Sequence, residues 1–339
     1  MTTDEHFEIF LATAPGLEPV LRLEALEKGF SGARYVPGGV TFQGNWLDVW
    51  RANLQIRGAN RVLARLGAFR TPHMAQLDKR ARKFDWGAVL RKDVPVRVEV
   101  TCQKSRIYHS GAAVQRIETA IREAFGAPVS ADAEITIMVR IEDDLCTISV
   151  DTSGELLHKR GYKTAVAKAP MRETMAALFL RQCGYSGSEP VVDPMCGSGT
   201  FVIEAAEIAA GLAAGRARHF AFEKFANFDA AAWERMRTAS SGVVSPSFRF
   251  YGSDRDRGAI DMSRANAARA GVADMIDFRQ HAISDLIPPL GPPGLVIVNP
   301  PYGTRIGEMK KLPPLYRALG ETLRTRFSGW RVGIIGTEA

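Results

Sequence analysis

Three short stretches in the C-terminal half bring together residue types that can act on one ligand. The first is Asp193-Pro194-Met195-Cys196-Gly197-Ser198-Gly199-Thr200, lying between an apolar strand pattern and a helix pattern. Glycines at 197 and 199 let the backbone pass close to a ligand and present amides at a helix N-terminus. No Gly-Lys-Ser/Thr follows, which excludes a P-loop, and Val202 stands at the third glycine position of GxGxxG. A carboxylate at the strand end, Asp193, would repel pyrophosphate and welcome an ammonium or a sulfonium. S-adenosylmethionine carries both. The second stretch is Tyr251-Gly252-Ser253-Asp254. A strand-end carboxylate can accept two hydrogen bonds from ribose hydroxyls, and Asp256 is left to cap the helix that follows. The third is Asn299-Pro300-Pro301-Tyr302. The prolines stiffen the turn. The Asn299 amide oxygen and the Pro300 carbonyl can both accept from an exocyclic amine, and Tyr302 offers a face to a flipped base. Accepting both N–H bonds draws the amine lone pair out of ring conjugation and aims it at a methyl donor.

These stretches need strand ends to hold them, and the pattern supplies them. Strands are predicted at Pro190–Asp193, Phe248–Gly252, Met275–Arg279, Leu295–Val298 and Trp330–Ile335, with helices at Phe201–Leu212, Gly258–Ala270 and Pro314–Arg326. Alternating strands and helices imply a parallel sheet covered on both faces. Residues 213–247 interrupt the rhythm with Phe220, Phe222, Phe225, Phe228 and Trp233, read as a helical flap whose aromatics pack. The N-terminal half reads as smaller α+β units: strand Phe7–Ala12, helix Leu17–Gly29, a hairpin over Tyr35–Phe42, and a helix from Leu47 that extends into Arg57–Leu66. Strand Val94–Thr101, helix Ala112–Phe125 and a hairpin of Ile135–Glu142 with Leu145–Asp151, turning at Asp143-Asp144, complete it.

Composition sets the class. The chain has 339 residues, 46% hydrophobic and 24% charged, with a formal charge of +7. That length suits two domains and that balance is globular. Residues 57–83 hold eight basic side chains against the single acid Asp78; residues 155–172 hold five against Glu155. Such blocks suit a polyanion. The four cysteines, at 102, 146, 183 and 196, form no CxxC pair, which argues against both a disulfide framework and a zinc site and fits a reducing cytoplasm. No apolar run reaches ~20 residues, and the polar, acidic N-terminus lacks a signal-peptide layout. Neither a membrane nor a metal is expected.

The three stretches, in this order, resemble class I S-adenosylmethionine-dependent methyltransferases of the branch that modifies exocyclic nitrogens. Leu156-Leu-His-Lys-Arg-Gly-Tyr162, Ala169-Pro-Met-Arg-Glu-Thr174 and Asp193–Ala205 look like the THUMP-domain RNA guanine-N2 methyltransferases, and Ser105–Ala112 with Val114-Gln-Arg-Ile117 is similar to the THUMP module itself. Within that group the chain most resembles RlmL-type enzymes of large-subunit ribosomal RNA. The resemblance implies an α/β fold with a Rossmann-like methyltransferase domain, preceded by an α+β ferredoxin-like and THUMP region. Its division is 1–60 ferredoxin-like, 61–155 THUMP, 156–170 connector and 171–339 methyltransferase.

It also implies roles. Asp193, Pro194, Cys196, Gly197, Gly199 and Thr200 would hold the cofactor with Asp254, and Glu173 and Thr174 would lie beside it. Asn299, Pro300, Pro301 and Tyr302 would hold the target guanine. Lys79, Arg80, Lys83, Lys104, Arg106, Tyr108, His109, Arg160 and Lys163 would meet RNA. Two departures stand out. Ala282 occupies the place of the acidic residue near the adenine, with Asp285 three residues later. The chain also ends at Ala339, before the two strands that close a class I sheet, so a C-terminal truncation is expected. Transfer RNA as substrate, adenine N6 in DNA, and a non-catalytic RNA-binding role are the rival readings.

Overall fold

The computed structural model describes residues 5–163, 171–240, 242, 244–301 and 312–336. The chain divides into two compact units, Met1–Leu157 with Arg218–Ala239, and His158–Ala217 with Ser240–Ala339.

The first unit is built on seven strands: β1 (Phe7–Ala12), β2 (Arg34–Val36), β3 (Gly39–Gly44), β4 (Arg61–Arg70), β5 (Val96–Gln103), β6 (Ile135–Glu142) and β7 (Leu145–Asp151). They form one sheet in the order β2-β3-β1-β4-β7-β6-β5, so β4 and β7 join the two N-terminal regions edge to edge. Helices α1 (Glu18–Glu27), α2 (Trp46–Gln55), α3 (Met74–Arg82) and α4 (Ser110–Ala120) accompany it. The β6–β7 turn falls at Asp143-Asp144 as expected. Both residues have positive φ, +49° and +60°, the backbone that a two-residue hairpin requires and that aspartate tolerates. Asn45 caps α2 reciprocally with Asp48.

One expectation fails here. Helical spacing predicts that Arg57–Leu66 prolongs a helix, yet α2 stops at Gln55 and Arg61–Arg70 is a strand. Val62, Leu63 and Ala64 are buried, with Ala64 placed opposite Ile9 on one side and Val150 on the other. Strand pairing on both edges outweighs the helical spacing of this short segment. The aromatic insertion is corrected as well. Residues 218–239, ending in α7 (Ala230–Ala239), belong to the first unit. Phe222 stacks on Trp50 with ring centroids 5.8 Å apart, and Phe225 meets the edge of Trp46 at 5.8 Å. Trp233 packs edge-on against Phe222 at 5.0 Å. The aromatics do pack, as expected, but against α2.

The second unit carries β8 (Val191–Asp193), β9 (Phe250–Asp254), β10 (Ile276–Gln280), β11 (Leu295–Val298) and β12 (Arg331–Ile334). Every pairing is parallel, in the order β10-β9-β8-β11-β12. That is the Rossmann-like order, with strands reversing direction of succession between β8 and β11. Helices α5 (Glu173–Gln182), α6 (Thr200–Ala209) and α8 (Arg257–Ala270) pack on one face around Phe201, Phe250, Phe278 and Ile297. On the other face α9 (Leu312–Arg326) packs around Val192, Val296, Val298 and Phe327. Gly252 has a packing reason: a Cβ there would lie 2.6 Å from the Phe278 ring.

Candidate active site

Open α/β sheets take ligands at the carboxyl ends of their strands, where the order reverses. Here that point lies between β8, which ends at Asp193, and β11, which leads into Asn299. Val191 and Val192 stand opposite Leu295 and Val296 in register, so Asp193 and Asn299 emerge from neighbouring strands. Pro300 is buried beside Asn299 and Pro301 is exposed. Tyr302 lies outside the described residues, as do Lys168, Ala169 and Pro170.

Asp193 is 2% exposed, and its Oδ1 accepts the Met195 amide at 3.1 Å. Burial pushes its carboxyl up to about 8; the Asp254 carboxylate adds to the rise and the Met195 amide opposes it. The turn after it is held by backbone bonds: the Cys196 amide donates to the Ser253 carbonyl at 2.9 Å, and the Gly199 amide to the Cys196 carbonyl at 2.7 Å. Gly197 and Gly199 have φ of +55° and +83°, a region glycine enters freely. A Cβ on Gly197 would meet nothing within 4 Å, whereas one on Gly199 would lie 3.1 Å from the Ser263 Cβ. Gly197 therefore opens onto space and Gly199 allows close packing. Pro194, Cys196 and Thr200 are buried around it.

Asp254 closes the turn from the next strand. Its Oδ2 accepts the Gly197 amide at 3.0 Å and its Oδ1 the Asp256 amide at 3.0 Å. Asp256 takes the helix cap, as expected, accepting from the Gly258 amide at 3.1 Å. Each Asp254 oxygen keeps acceptor capacity for another donor. Past β10, Ala282 precedes a short 3-10 turn at Ile283–Asp285. His281 and Asp285, with Tyr251 and Ser253, line a cavity of about 480 Å³.

Glu173 and Thr174 form the buried first turn of α5. Lys163 lies 3.3 Å from the Glu173 carboxylate and donates at 2.9 Å to both the Thr200 hydroxyl and the Met171 carbonyl. Burial raises the Glu173 carboxyl and lowers the Lys163 ammonium, and each opposes the other's shift. This arrangement overturns one part of the expected RNA face. Arg160 is 2% exposed and pairs with the wholly buried Glu204 at 3.4 Å. Lys163 spends its donors inside the unit. Neither can reach a phosphate, because withdrawing a buried cation from its carboxylate would strand both charges. The basic block at 57–83 also divides. Arg57 is buried, Arg61 pairs with Asp151 and Arg65 with Glu8. Lys79, Arg80 and Lys83 are exposed on α3 and its C-terminal cap, and Lys104, Arg106, Tyr108 and His109 are exposed before α4. The Tyr108 and His109 rings lie 4.6 Å apart.

Sequence reading missed Ser263 and Asn266 of α8. Both are fully buried and reach the carbonyls of the glycine turn. The available signal was two polar residues, three apart, interrupting the apolar stripe of Ile260, Ala267 and Ala270. Among the described residues no group of three or more His, Cys, Asp or Glu could hold a metal, and no helix is long and apolar enough to cross a membrane.

This geometry has counterparts among known proteins. Residues 160–339 match the family described as RMKL-like, methyltransferase domain. Residues 8–63 match the RlmL ferredoxin-like domain, and residues 73–151 the THUMP domain. Ribosomal RNA large subunit methyltransferase K/L of Psychromonas ingrahamii is 34% identical over 97% of this chain. The chain spans 46% of that curated relative's length. Among solved structures, a predicted N6-adenine-specific DNA methylase from Listeria monocytogenes superposes with a TM-score of 0.90 at 30% identity, covering 97% of this chain and 88% of that one. The methyltransferase SMU.472, complexed with SAH, superposes with a TM-score of 0.87 at 29% identity, covering 97% of this chain and 89% of that one.

Proposed function

Since this chain belongs to the RMKL-like methyltransferase family, we propose that it transfers a methyl group from S-adenosylmethionine to the exocyclic N2 of a guanine in structured RNA, with 23S ribosomal RNA as the substrate. The observation that carries the reading is a buried carboxylate beside an open glycine turn, next to Asn299-Pro300 on the adjacent strand. The residues fit the cofactor. Burial holds the Asp193 carboxyl up at about 8, where a cationic ligand would relieve it, and the space over Gly197 admits a ligand. Asp193, Gly197 and Gly199 would hold the methionine end, Asp254 the ribose, and Pro194, Cys196, Thr200, Glu173 and Thr174 would shape the pocket around them. The bound cofactor supplies an electrophilic methyl carbon on a sulfonium.

The chain's own residues then have little covalent work. Asn299 and the Pro300 carbonyl accept the two N–H groups of the guanine amine and turn its lone pair toward the methyl. Tyr302 stacks on the base, and Pro301 fixes the turn that carries it. Catalysis is positioning together with acceptors preorganised on the amine. The amine proton leaves to water after transfer. Residues 61–155 act as the RNA-binding module, with 1–60 ahead of them, 156–170 as connector and 171–339 as the transfer domain. The exposed cations on α3 and before α4 meet the phosphates. The reaction takes place in the cytoplasm.

The relative named for the ribosomal large subunit supports ribosomal over transfer RNA. The test is transfer of labelled methyl from S-adenosylmethionine to purified 23S ribosomal RNA and to transfer RNA, followed by nucleoside digestion. Label in N2-methylguanosine from 23S RNA supports the proposal. Label only in transfer RNA, or in N6-methyladenosine, overturns the substrate or the base.

A further inference from the structure

Two polar side chains on α8, outside the three motif stretches, touch the glycine turn from beneath. The Ser263 hydroxyl donates to the Gly197 carbonyl at 2.8 Å, and the Asn266 amide nitrogen donates to the Ser198 carbonyl at 3.0 Å. Both residues are 0% exposed. Asn266 cannot swap its amide ends, because its oxygen accepts from Arg269, whose Nε also donates to the Tyr162 carbonyl at 2.6 Å. The donor of Asn266 is thereby aimed at Ser198.

The consequence follows from the planarity of the peptide. In a trans peptide the N–H of one residue points opposite the C=O of the residue before it. A Gly197 carbonyl drawn toward Ser263 turns the Ser198 amide away from α8. A Ser198 carbonyl drawn toward Asn266 turns the Gly199 amide into its bond with Cys196, 2.7 Å long. Two consecutive glycine-flanked peptides have many orientations open to them, and each of these bonds selects one. Deleting such a buried donor leaves the carbonyl unsatisfied or free to rotate.

We infer that Ser263 and Asn266 are positioning residues for the cofactor turn: Ser263 holds the peptide that presents the Ser198 amide to the ligand, and Asn266 holds the peptide whose Gly199 amide closes the turn on Cys196. The inference rests on the cofactor reading of this site. The two donors act in the unliganded protein, so their loss weakens ligand capture and leaves the transfer step itself intact.

The test uses the full chain and two near-isosteric variants, Ser263→Ala and Asn266→Asp. The first removes one hydroxyl; the second replaces the donor facing Ser198 by an acceptor and keeps the bond to Arg269. S-adenosylhomocysteine affinity is measured by calorimetry, and KM for S-adenosylmethionine, KM for RNA and kcat by methyl transfer. The expected result is a Kd and cofactor KM raised about tenfold or more in each variant, with RNA KM and kcat at saturation within about twofold of the parent. A purely structural role would lower the active fraction, and so kcat, at unchanged cofactor KM. Cofactor Kd within twofold of the parent in both variants overturns the inference. A parent that binds no S-adenosylhomocysteine overturns the cofactor reading instead.

Discussion

The backbone amide of Gly197 donates to Oδ2 of Asp254 at 3.0 Å, which ties the turn after β8 to the end of β9. This carboxylate holds the turn shut from the neighbouring strand, and on the proposed reading it would also accept from the ribose. Asp254→Ala should weaken S-adenosylmethionine by tenfold or more, and Asp254→Asn, which keeps one accepting oxygen, by less. Calorimetry on the two variants checks the ranking; equal losses would rule out the turn-holding role.

Asp193 makes the site sensitive to pH in a defined direction. Its folded carboxyl sits at about 8 against an ordinary 3.8. A raised carboxyl means the unfolded chain ionises first, so the folded state loses stability as pH climbs from about 4 to about 8. Asp193→Asn should therefore melt close to the parent at pH 4 and above it at pH 8, without ligand. The same group should release a proton when a cationic ligand binds near pH 7. Binding enthalpies in buffers of different ionisation heat should show that release in the parent and its absence in Asp193→Asn.

Asn299 separates methyl transfer from simple cofactor binding. Asn299→Ala should keep S-adenosylmethionine affinity and lower kcat by ~10²–10³, the usual effect of losing one preorganised polar group. Tyr302→Ala should act on RNA affinity by roughly 1–3 kcal/mol, as for a lost stacking platform, and Tyr302→Phe should be mild. An Asn299→Ala variant that transfers methyl at the parent's rate would leave the Asn-Pro-Pro-Tyr stretch as a turn only.

The exposed cations on α3 predict a steep salt response. Arg80→Glu with Lys83→Glu should weaken RNA binding and leave cofactor affinity alone. The slope of log affinity against log salt should flatten by about 1 for each phosphate that is no longer neutralised. Lys163→Glu should instead damage folding or cofactor binding, because that side chain is bonded inside its unit.

Phe222→Ala should destabilise the first unit by about 3–5 kcal/mol, as for a large aromatic removed from a packed core. The checking measurement is near-ultraviolet circular dichroism of the Trp50 environment during urea unfolding.

The second unit was legible because three of its five strands end at or beside a residue with a chemical reason to be there. Asp193, Asp254 and Asn299 mark three strand ends, and the short apolar runs before them have few other uses. The hairpin at Asp143-Asp144 was legible through its two-residue turn. Less could be read where long-range partners decide. Arg61–Arg70 has helical spacing, and only its neighbours β1 and β7 make it a strand. Arg160 and Lys163 look like surface cations until Glu204, distant in sequence, and Glu173, ten residues past Lys163, are placed beside them. Ser263 and Asn266 follow no motif, since what they serve is the direction of two carbonyls, which leaves no mark on spacing. The aromatics of 220–233 announce packing, but not which half of the chain they pack on.

That last placement bears on the order in which the protein is made. Trp46 and Trp50 leave the ribosome early, while Phe222, Phe225 and Trp233 follow only after all of His158–Ala217 has been synthesised. At roughly 5–20 residues per second, the 65 residues from Leu157 to Phe222 take about 3–13 s. For that interval Trp50 lacks the ring that stacks on it, and Trp46, already packed on Phe7, lacks its contact with Phe225. The late aromatic segment is thus the lid on an early core, and the pace of translation through residues 158–222 sets how long that core waits for it.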